Sequence, residues 1–132
     1  ESEAKIKEEL IRYYDVLDHR KEDSVLVFLA DPVEQWYDQQ NITPSLAIEG
    51  VKKQWGEVVE EQNKIDLNSF VYEAVDDDRH RVTFILNYIV KKRIQKKVKK
   101  RVVSEIIQFG PSKIRTEIRL NKDFKIYYVK PE

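Results

Sequence analysis

The spacing of apolar residues changes once along this chain, from a helical period to a strand period. In the first 55 residues, apolar side chains recur three or four positions apart, which places them on one face of an α-helix. From about residue 65 onward they alternate with polar side chains, as in a half-buried β-strand. A chain with helices first and strands afterwards is predicted to form an α+β domain, with the helices packed on one face of a sheet.

Three helices are predicted in the first half. The apolar stripe of the first runs through residues 6–17. A shorter second helix ends before Pro32, because the residue that precedes a proline is driven out of the helical region. Thr43 is a suitable cap for the third helix, with Pro44 in its first turn and Gly56 at its end.

An antiparallel sheet of four to six strands is predicted in the second half. The strongest alternation lies in residues 82–90, and further strands are predicted at residues 65–74, 98–109, 114–120 and 124–128. Gly110 and Pro111 are predicted to end the strand at residues 98–109. At 132 residues the chain is the size of one domain, and we assign residues 1–132 to it.

Charge is separated along the sequence. Residues 1–78 have a net charge of −12 and residues 79–132 a net charge of +12, so the whole chain is neutral. The densest run has eight basic residues in eleven: Lys91, Lys92, Arg93, Lys96, Lys97, Lys99, Lys100 and Arg101. The alternation on both sides predicts a solvated hairpin tip. A protein or an anionic ligand is the alternative partner. The run contains no aromatic residue that could stack on bases, so binding of nucleic acid or of an anionic surface is the less favoured hypothesis.

Several classes of function lack their usual signature. The absence of cysteine removes disulfides, thiolate metal sites and cysteine nucleophiles. His19 and His80 are far apart and have no further ligands at metal-binding spacing, so no metal site is predicted. There is also no Gly-rich phosphate loop, and no cofactor is predicted. No apolar run is long enough to span a membrane. The chain also lacks Met, even at position 1, and we expect a processed or excised piece of a longer protein; the sequence does not indicate its compartment, cytoplasmic or extracytoplasmic.

The order of several sequence motifs resembles that of a known superfamily. The stretch Phe-Leu-Ala-Asp-Pro-Val at residues 28–33, the pair Trp36-Tyr37 and the pair Gln54-Trp55 at the end of the third helix precede a strand meander. This order is similar to the nuclear transport factor 2-like superfamily, and most similar to its small non-catalytic domains at the C-terminal ends of bacterial multidomain proteins. The resemblance implies a strongly curved sheet that wraps a long helix, with a pocket at the open end of the cone. Because dimers are common in that superfamily, the resemblance also makes a homodimer a candidate assembly of this chain.

Six aromatic residues could line such a pocket: Tyr13, Tyr14, Trp36, Tyr37, Trp55 and Tyr88. Each offers a large apolar surface and one polar group. The alternative is that they fill the core of the cone. We expect most of them to be core residues, with one or two reaching a cavity that lacks a paired acid and base.

The resemblance leaves two kinds of function open. The first hypothesis is a non-catalytic module of a larger bacterial protein that binds a small apolar ligand, a second copy or a neighbouring domain. The alternative is a cofactor-independent enzyme like ketosteroid isomerase or a dehydratase. Tyr13 or Tyr14 lies where that isomerase has its oxyanion-binding tyrosine, and Glu34 and Asp38 lie near the place of its proton-transfer carboxylate. No residue matches the assisting acid, so no catalytic residue is assigned.

Overall fold

The computed structural model describes residues 2–132 and has the predicted α+β architecture. Its elements are, in chain order, α1 (Ser2–Asp18), α2 (Glu22–Leu26), β1 (Val33–Trp36), β2 (Gln39–Ile42), α3 (Pro44–Trp55), β3 (Val58–Ala74), β4 (His80–Val98), β5 (Arg101–Leu120) and β6 (Ile126–Pro131). The three helices thus precede the long strands, as the change of period predicts. In residues 2–132 no helix is long and apolar enough to cross a membrane.

The six strands form one curved, unclosed sheet in the order β2-β1-β6-β5-β4-β3. Neighbouring strands run antiparallel except β1 and β6, which are parallel and bring Gln35 beside Tyr128. This parallel pair was not predicted from the sequence. It joins the short N-terminal hairpin β1–β2 to the sheet formed by the C-terminal half.

The helix ends follow from local chemistry. The side chain of Thr43 accepts a hydrogen bond of 3.2 Å from the backbone amide of Leu46, so it caps α3. Pro44 occupies the first turn, where its missing amide proton leaves no hydrogen bond unmade. Both features agree with the sequence prediction.

The core lies between the helices and the concave face of the sheet. Its largest fully buried side chains come from every layer: Ile6, Leu10 and Tyr13 of α1, Phe84 and Val82 of β4, Ile118 and Leu120 of β5, and Ile126 of β6. Because alternate residues of a strand point to opposite faces, the other positions of β4 and β5 face outward. Burial of each large apolar side chain contributes about 1.5–3 kcal/mol.

Two strand predictions were wrong. The strand β2 was missed because its sequence, Gln-Gln-Asn-Ile, is polar, and it is held by backbone pairing with β1 at the sheet edge. The strand β5 does not end at Gly110-Pro111. Between the pairs Tyr88–Ser112 and Val90–Phe109, β4 advances by two residues and β5 by three, so a bulge absorbs the extra residue and pairing continues.

The basic run forms the tip of the β4–β5 hairpin and is not helical. Pairing of β3 with β4 stops at Val58 and Lys92, so beyond this point the ribbon has only two strands. Residues 95–101 are exposed to solvent. The predicted solvated hairpin is therefore the conformation of this segment.

Candidate functional site

A cavity of about 370 Å³ lies at the open end of the curved sheet. Its walls come from both helical and strand elements: α1, the β1–β2 hairpin, α3 and the concave face of β3, β4 and β5. The lining residues are Tyr14, Leu17, Trp36, Tyr37, Asp38, Gln39, Gly50, Val51, Gln54, Glu61, Asn63, Leu86, Tyr88, Ile114, Thr116 and Pro131. The volume falls in the lower part of the range of small-molecule sites, roughly 300–1,000 Å³.

Four of the six predicted pocket aromatics meet in this cavity: Tyr14, Trp36, Tyr37 and Tyr88. The rings of Trp36 and Tyr37 pack edge to face, with their centroids 5.2 Å apart. This contact fixes the two rings relative to each other at one wall.

The other two predicted aromatics lie outside the lining. Tyr13 is 1% exposed and packs edge to face on Tyr14 and Phe28. Trp55 is partly buried at the end of α3 and packs against the core. Both serve the packing of the cone in this structure.

A polar cluster occupies one wall of the cavity. The side-chain amide of Asn63 donates to Asp18 Oδ1 at 2.7 Å and to Glu61 Oε1 at 3.0 Å, and its backbone amide donates to Asp18 Oδ2 at 2.8 Å. The register of β3 explains the arrangement, since Glu61 pairs with Val90 and Asn63 with Tyr88, both on the concave face. One buried amide thus links two carboxylates.

The environment raises the pKa of the Asp18 carboxyl. Burial is the main cause, and the hydrogen bonds from Asn63 oppose it without cancelling it. The negative charge of Glu61 adds to the rise. Asp18 lies behind the cavity wall, where it supports Asn63.

The tyrosine hydroxyls of the cavity are poor acids. Burial of the hydroxyl and the Glu61 carboxylate raise the pKa of Tyr37, although the residue as a whole is 44% exposed, and the same two causes raise the pKa of Tyr88. Burial, followed by the neighbouring Tyr37 and Asp18, raises the pKa of Tyr14 well above its ordinary value. These hydroxyls are therefore neutral hydrogen-bond donors at physiological pH.

The Tyr14 hydroxyl is available to a ligand. Tyr14 is 5% exposed, and its hydroxyl forms no hydrogen bond with residues 2–132. Every fully enclosed side-chain nitrogen and oxygen in that part of the chain has a partner. The hydroxyl is consequently not sealed in the core, and Tyr14 lines both this cavity and a depression between α1 and β3.

The sequence did not identify Asp18, Glu61 or Asn63 as site residues. The alternation of β3, continued backward from Ile65, would have placed Asn63 and Glu61 on the concave face. Of the two carboxylates considered from the resemblance, Asp38 is in the lining and Glu34 is not. In residues 2–132 the lining carboxylates do not hydrogen-bond to a tyrosine.

A second depression, of about 600 Å³, runs between α1 and β3 and shares three residues with the cavity: Tyr14, Glu61 and Asn63. The polar cluster therefore forms a wall between two concave surfaces. Its other side is lined by Asp15, Asp18 and His19.

The remaining residues considered from the sequence are engaged elsewhere. Residues 2–132 contain no group of three or more side chains placed to hold a metal ion. His80 shares a hydrogen bond of 2.8 Å with the Tyr72 hydroxyl. On the basic hairpin, Lys91 pairs with Glu60 at 3.3 Å and Lys96 with Glu105 at 2.9 Å.

Solved structures share this architecture. The "Putative Scytalone Dehydratase" from Novosphingobium aromaticivorans DSM 12444 matches with a TM-score of 0.71 and 11% identity, over 96% of this chain and 80% of that chain. A SnoaL-like polyketide cyclase from Agrobacterium tumefaciens matches with a TM-score of 0.56 and 12% identity, over 96% and 89%. A protein from Kribbella flavida matches with a TM-score of 0.68 and 14% identity, over 97% and 87%.

The chain has the nuclear transport factor 2-like fold, as the sequence resemblance predicts. No protein-family model matches the sequence, and no curated protein sequence matches it significantly. At such low identities, structural likeness shows the fold and leaves the activity to the site.

Proposed function

We propose that this domain binds a small, largely apolar ligand in the cavity between α1, α3 and the concave face of the sheet. The observation that carries the proposal is the lining itself: aromatic and aliphatic walls with the unpartnered Tyr14 hydroxyl at one side. Apolar walls supply affinity through surface removed from water, and a few polar groups fix the orientation. This is the binding-module hypothesis drawn from the sequence, now attached to a particular cavity.

A panel of small aromatic compounds tests this proposal by saturation-transfer NMR. We expect several members to bind the wild-type domain. A Cβ at Gly50 would meet no atom within 4 Å, and Gly50 lies in the lining, so Gly50→Leu should fold normally and reduce the cavity volume. Loss of binding in this variant is the expected result.

The matched control is Lys53→Leu, which places the same side chain on the same helix at an exposed position outside the lining. It should bind the panel as the wild type does. Absence of hits with the folded wild-type domain, or equal binding by Gly50→Leu, would refute the proposal.

A second candidate function is cofactor-independent proton transfer in the same cavity. The favouring observation is that Glu61 lines the same cavity as Tyr37 and Tyr88 and, after burial, contributes to the raised pKa of both hydroxyls. A carboxylate could remove a proton next to a ligand carbonyl while a tyrosine hydroxyl donates to the carbonyl oxygen. The dehydratase and cyclase names of two matched structures agree with this candidate.

Proton exchange tests the catalytic candidate directly. A ketone that binds the cavity should exchange its α-protons for deuterium in D₂O faster with the wild-type domain than with Glu61→Gln. The control is Glu60→Gln, since the neighbouring Glu60 faces Lys91 on the outer side of the sheet. Equal exchange rates with all three proteins would exclude Glu61 as the base.

A further inference from the structure

The charged groups of the cavity have one sign. Its lining contains the carboxylates of Glu61 and Asp38, and none of its lining residues is Lys, Arg or His. Asp18 lies directly behind Asn63 and adds a third carboxylate to this side of the fold. This imbalance exists although the whole chain is neutral; eight of its 24 basic residues lie in the hairpin segment at residues 91–101.

The neutral part of the lining also suits a positive charge. The aromatic side chains of Tyr14, Trp36, Tyr37 and Tyr88 all belong to the lining. Aromatic faces attract ammonium groups, and the attraction is strongest where water is excluded. An ammonium carried on an apolar body would meet both components of this lining at once.

The amide of Asn63 is already used by the two carboxylates. Both of its side-chain protons point at acids, to Asp18 Oδ1 and to Glu61 Oε1. It therefore has no side-chain proton left to neutralise or bind an anionic ligand. Burial is the first cause of the raised pKa values of Tyr37 and Tyr88 and disfavours charge of either sign; the negative charge of Glu61 is the second cause and disfavours only a further negative charge.

We propose that the ligand of this cavity is an organic cation, an alkylated or aliphatic ammonium, whose charge faces Glu61 and whose methyl or methylene groups contact the aromatic walls. The inference rests on the proposed binding function and adds the chemical class of the ligand. Tyr14 is 5% exposed as a residue and its hydroxyl has no hydrogen-bond partner in residues 2–132, so the hydroxyl can accept or donate one further hydrogen bond to the same ligand.

Three probes of nearly equal shape but different charge measure how the charge of the ligand affects its affinity. Choline is the cation, 3,3-dimethylbutan-1-ol is its neutral counterpart with carbon in place of nitrogen, and 3,3-dimethylbutanoate is a similar anion. Affinities are measured by NMR titration of the wild-type domain at moderate salt. We expect choline to bind at least tenfold more tightly than the alcohol, and the anion to bind more weakly than both.

Substitutions at neighbouring positions of β3 assign the effect to the cavity. Glu61→Gln keeps an oxygen for the Asn63 amide and removes the charge, so it should lower the affinity for choline at least fivefold without weakening the alcohol. Glu60→Gln removes the same charge on the opposite face of the strand and should leave both affinities unchanged.

The outcomes separate this inference from the proposed function. Equal affinity for choline and the alcohol, preference for the anion, or equal loss in both Gln variants would overturn the cation assignment. Binding of neutral aromatic compounds that Gly50→Leu abolishes would still support the cavity as a ligand site. Failure of choline to bind, with neutral compounds binding well, contradicts the inference alone.

Discussion

Replacing Asn63 by Asp perturbs the polar cluster with almost no change of shape. The side chain is 8% exposed and donates two hydrogen bonds to carboxylates, at 2.7 Å to Asp18 and 3.0 Å to Glu61. A hydrogen bond to a charged group contributes about 1.5–3 kcal/mol, and the partial exposure of both acids places these bonds at the lower end. Loss of the two donors should therefore cost about 3 kcal/mol.

The new carboxylate also repels the two existing ones. Two like unit charges 4 Å apart repel each other by about 4 kcal/mol at an effective dielectric constant near 20. Because protonation of one carboxyl removes this repulsion, the loss of unfolding free energy that it causes is smaller than this figure. We expect Asn63→Asp to lower the free energy of unfolding by about 3–5 kcal/mol at pH 7, measured by urea denaturation. The control Gln62→Ala removes one exposed hydrogen bond to Glu60 on the outer face and should cost less than about 0.5 kcal/mol.

The pH dependence of this loss has a definite sign. In Asn63→Asp, repulsion among the neighbouring carboxylates raises the folded-state pKa of a carboxyl in the cluster above its unfolded-state pKa. The destabilisation is therefore complete above the folded-state pKa and is relieved as the pH falls toward the unfolded-state pKa. The difference between Asn63→Asp and the wild type should be smaller at pH 5 than at pH 7. A loss below about 1 kcal/mol, or one that does not change with pH, would refute this account of the cluster.

Three further predictions concern other parts of the fold. Glu117 is buried and accepts from Arg81 at 2.8 Å and Arg119 at 2.6 Å; burial opposes its ionisation, but these two arginines hold its pKa below the ordinary value. Glu117→Gln should thus lower the free energy of unfolding by about 1–3 kcal/mol at pH 7, measured by urea denaturation. This loss should diminish as the pH drops through the lowered pKa of Glu117. A loss that stays constant with pH would contradict the ion-pair explanation. Gly110→Ala should lower the melting temperature, because φ is +94° and a Cβ would lie 2.5 Å from the Tyr88 carbonyl oxygen. Gly50→Ala should instead stabilise α3 by about 0.5–1 kcal/mol. Equal effects of the two substitutions would be evidence against the bulge geometry. Replacing the lysines at positions 96, 97, 99 and 100 by Gln should leave the melting temperature and the oligomeric state nearly unchanged, because exposed ion pairs contribute at most about 1 kcal/mol each; a large loss would show that the hairpin charges are structural.

The elements that could be predicted from the sequence are those whose apolar residues keep one regular spacing along the whole element. The stripe of α1 and the alternation through Val82, Phe84 and Leu86 indicate which face is buried, because each element has one apolar side. The polar strand β2 has no such pattern, and backbone pairing with β1 alone defines it. The continuity of β5 depends on a bulge opposite β4, which is a property of two strands and not of one sequence segment.

The candidate site was predictable only in its apolar part. Large aromatic residues in a cone are either core or cavity lining, and the structure divides them, with Tyr13 in the core and Tyr14 at the cavity. The sequence pattern assigned no site role to Asp18 or to Glu61. Their association depends on Asn63, 45 positions from Asp18 in sequence, and no local pattern indicates such a contact.

The two tryptophans of the chain provide the most direct test of the cavity as the ligand site. Trp36 lies in the cavity lining and Trp55 outside it, so their indole N–H resonances report separately in one ¹H–¹⁵N NMR spectrum. On titration with choline and with the tightest aromatic binder, we expect the Trp36 resonance to shift in a saturable manner while Trp55 stays in place. No shift at Trp36 with any compound that binds, or an equal shift at Trp55, would contradict the assignment of this cavity as the binding site.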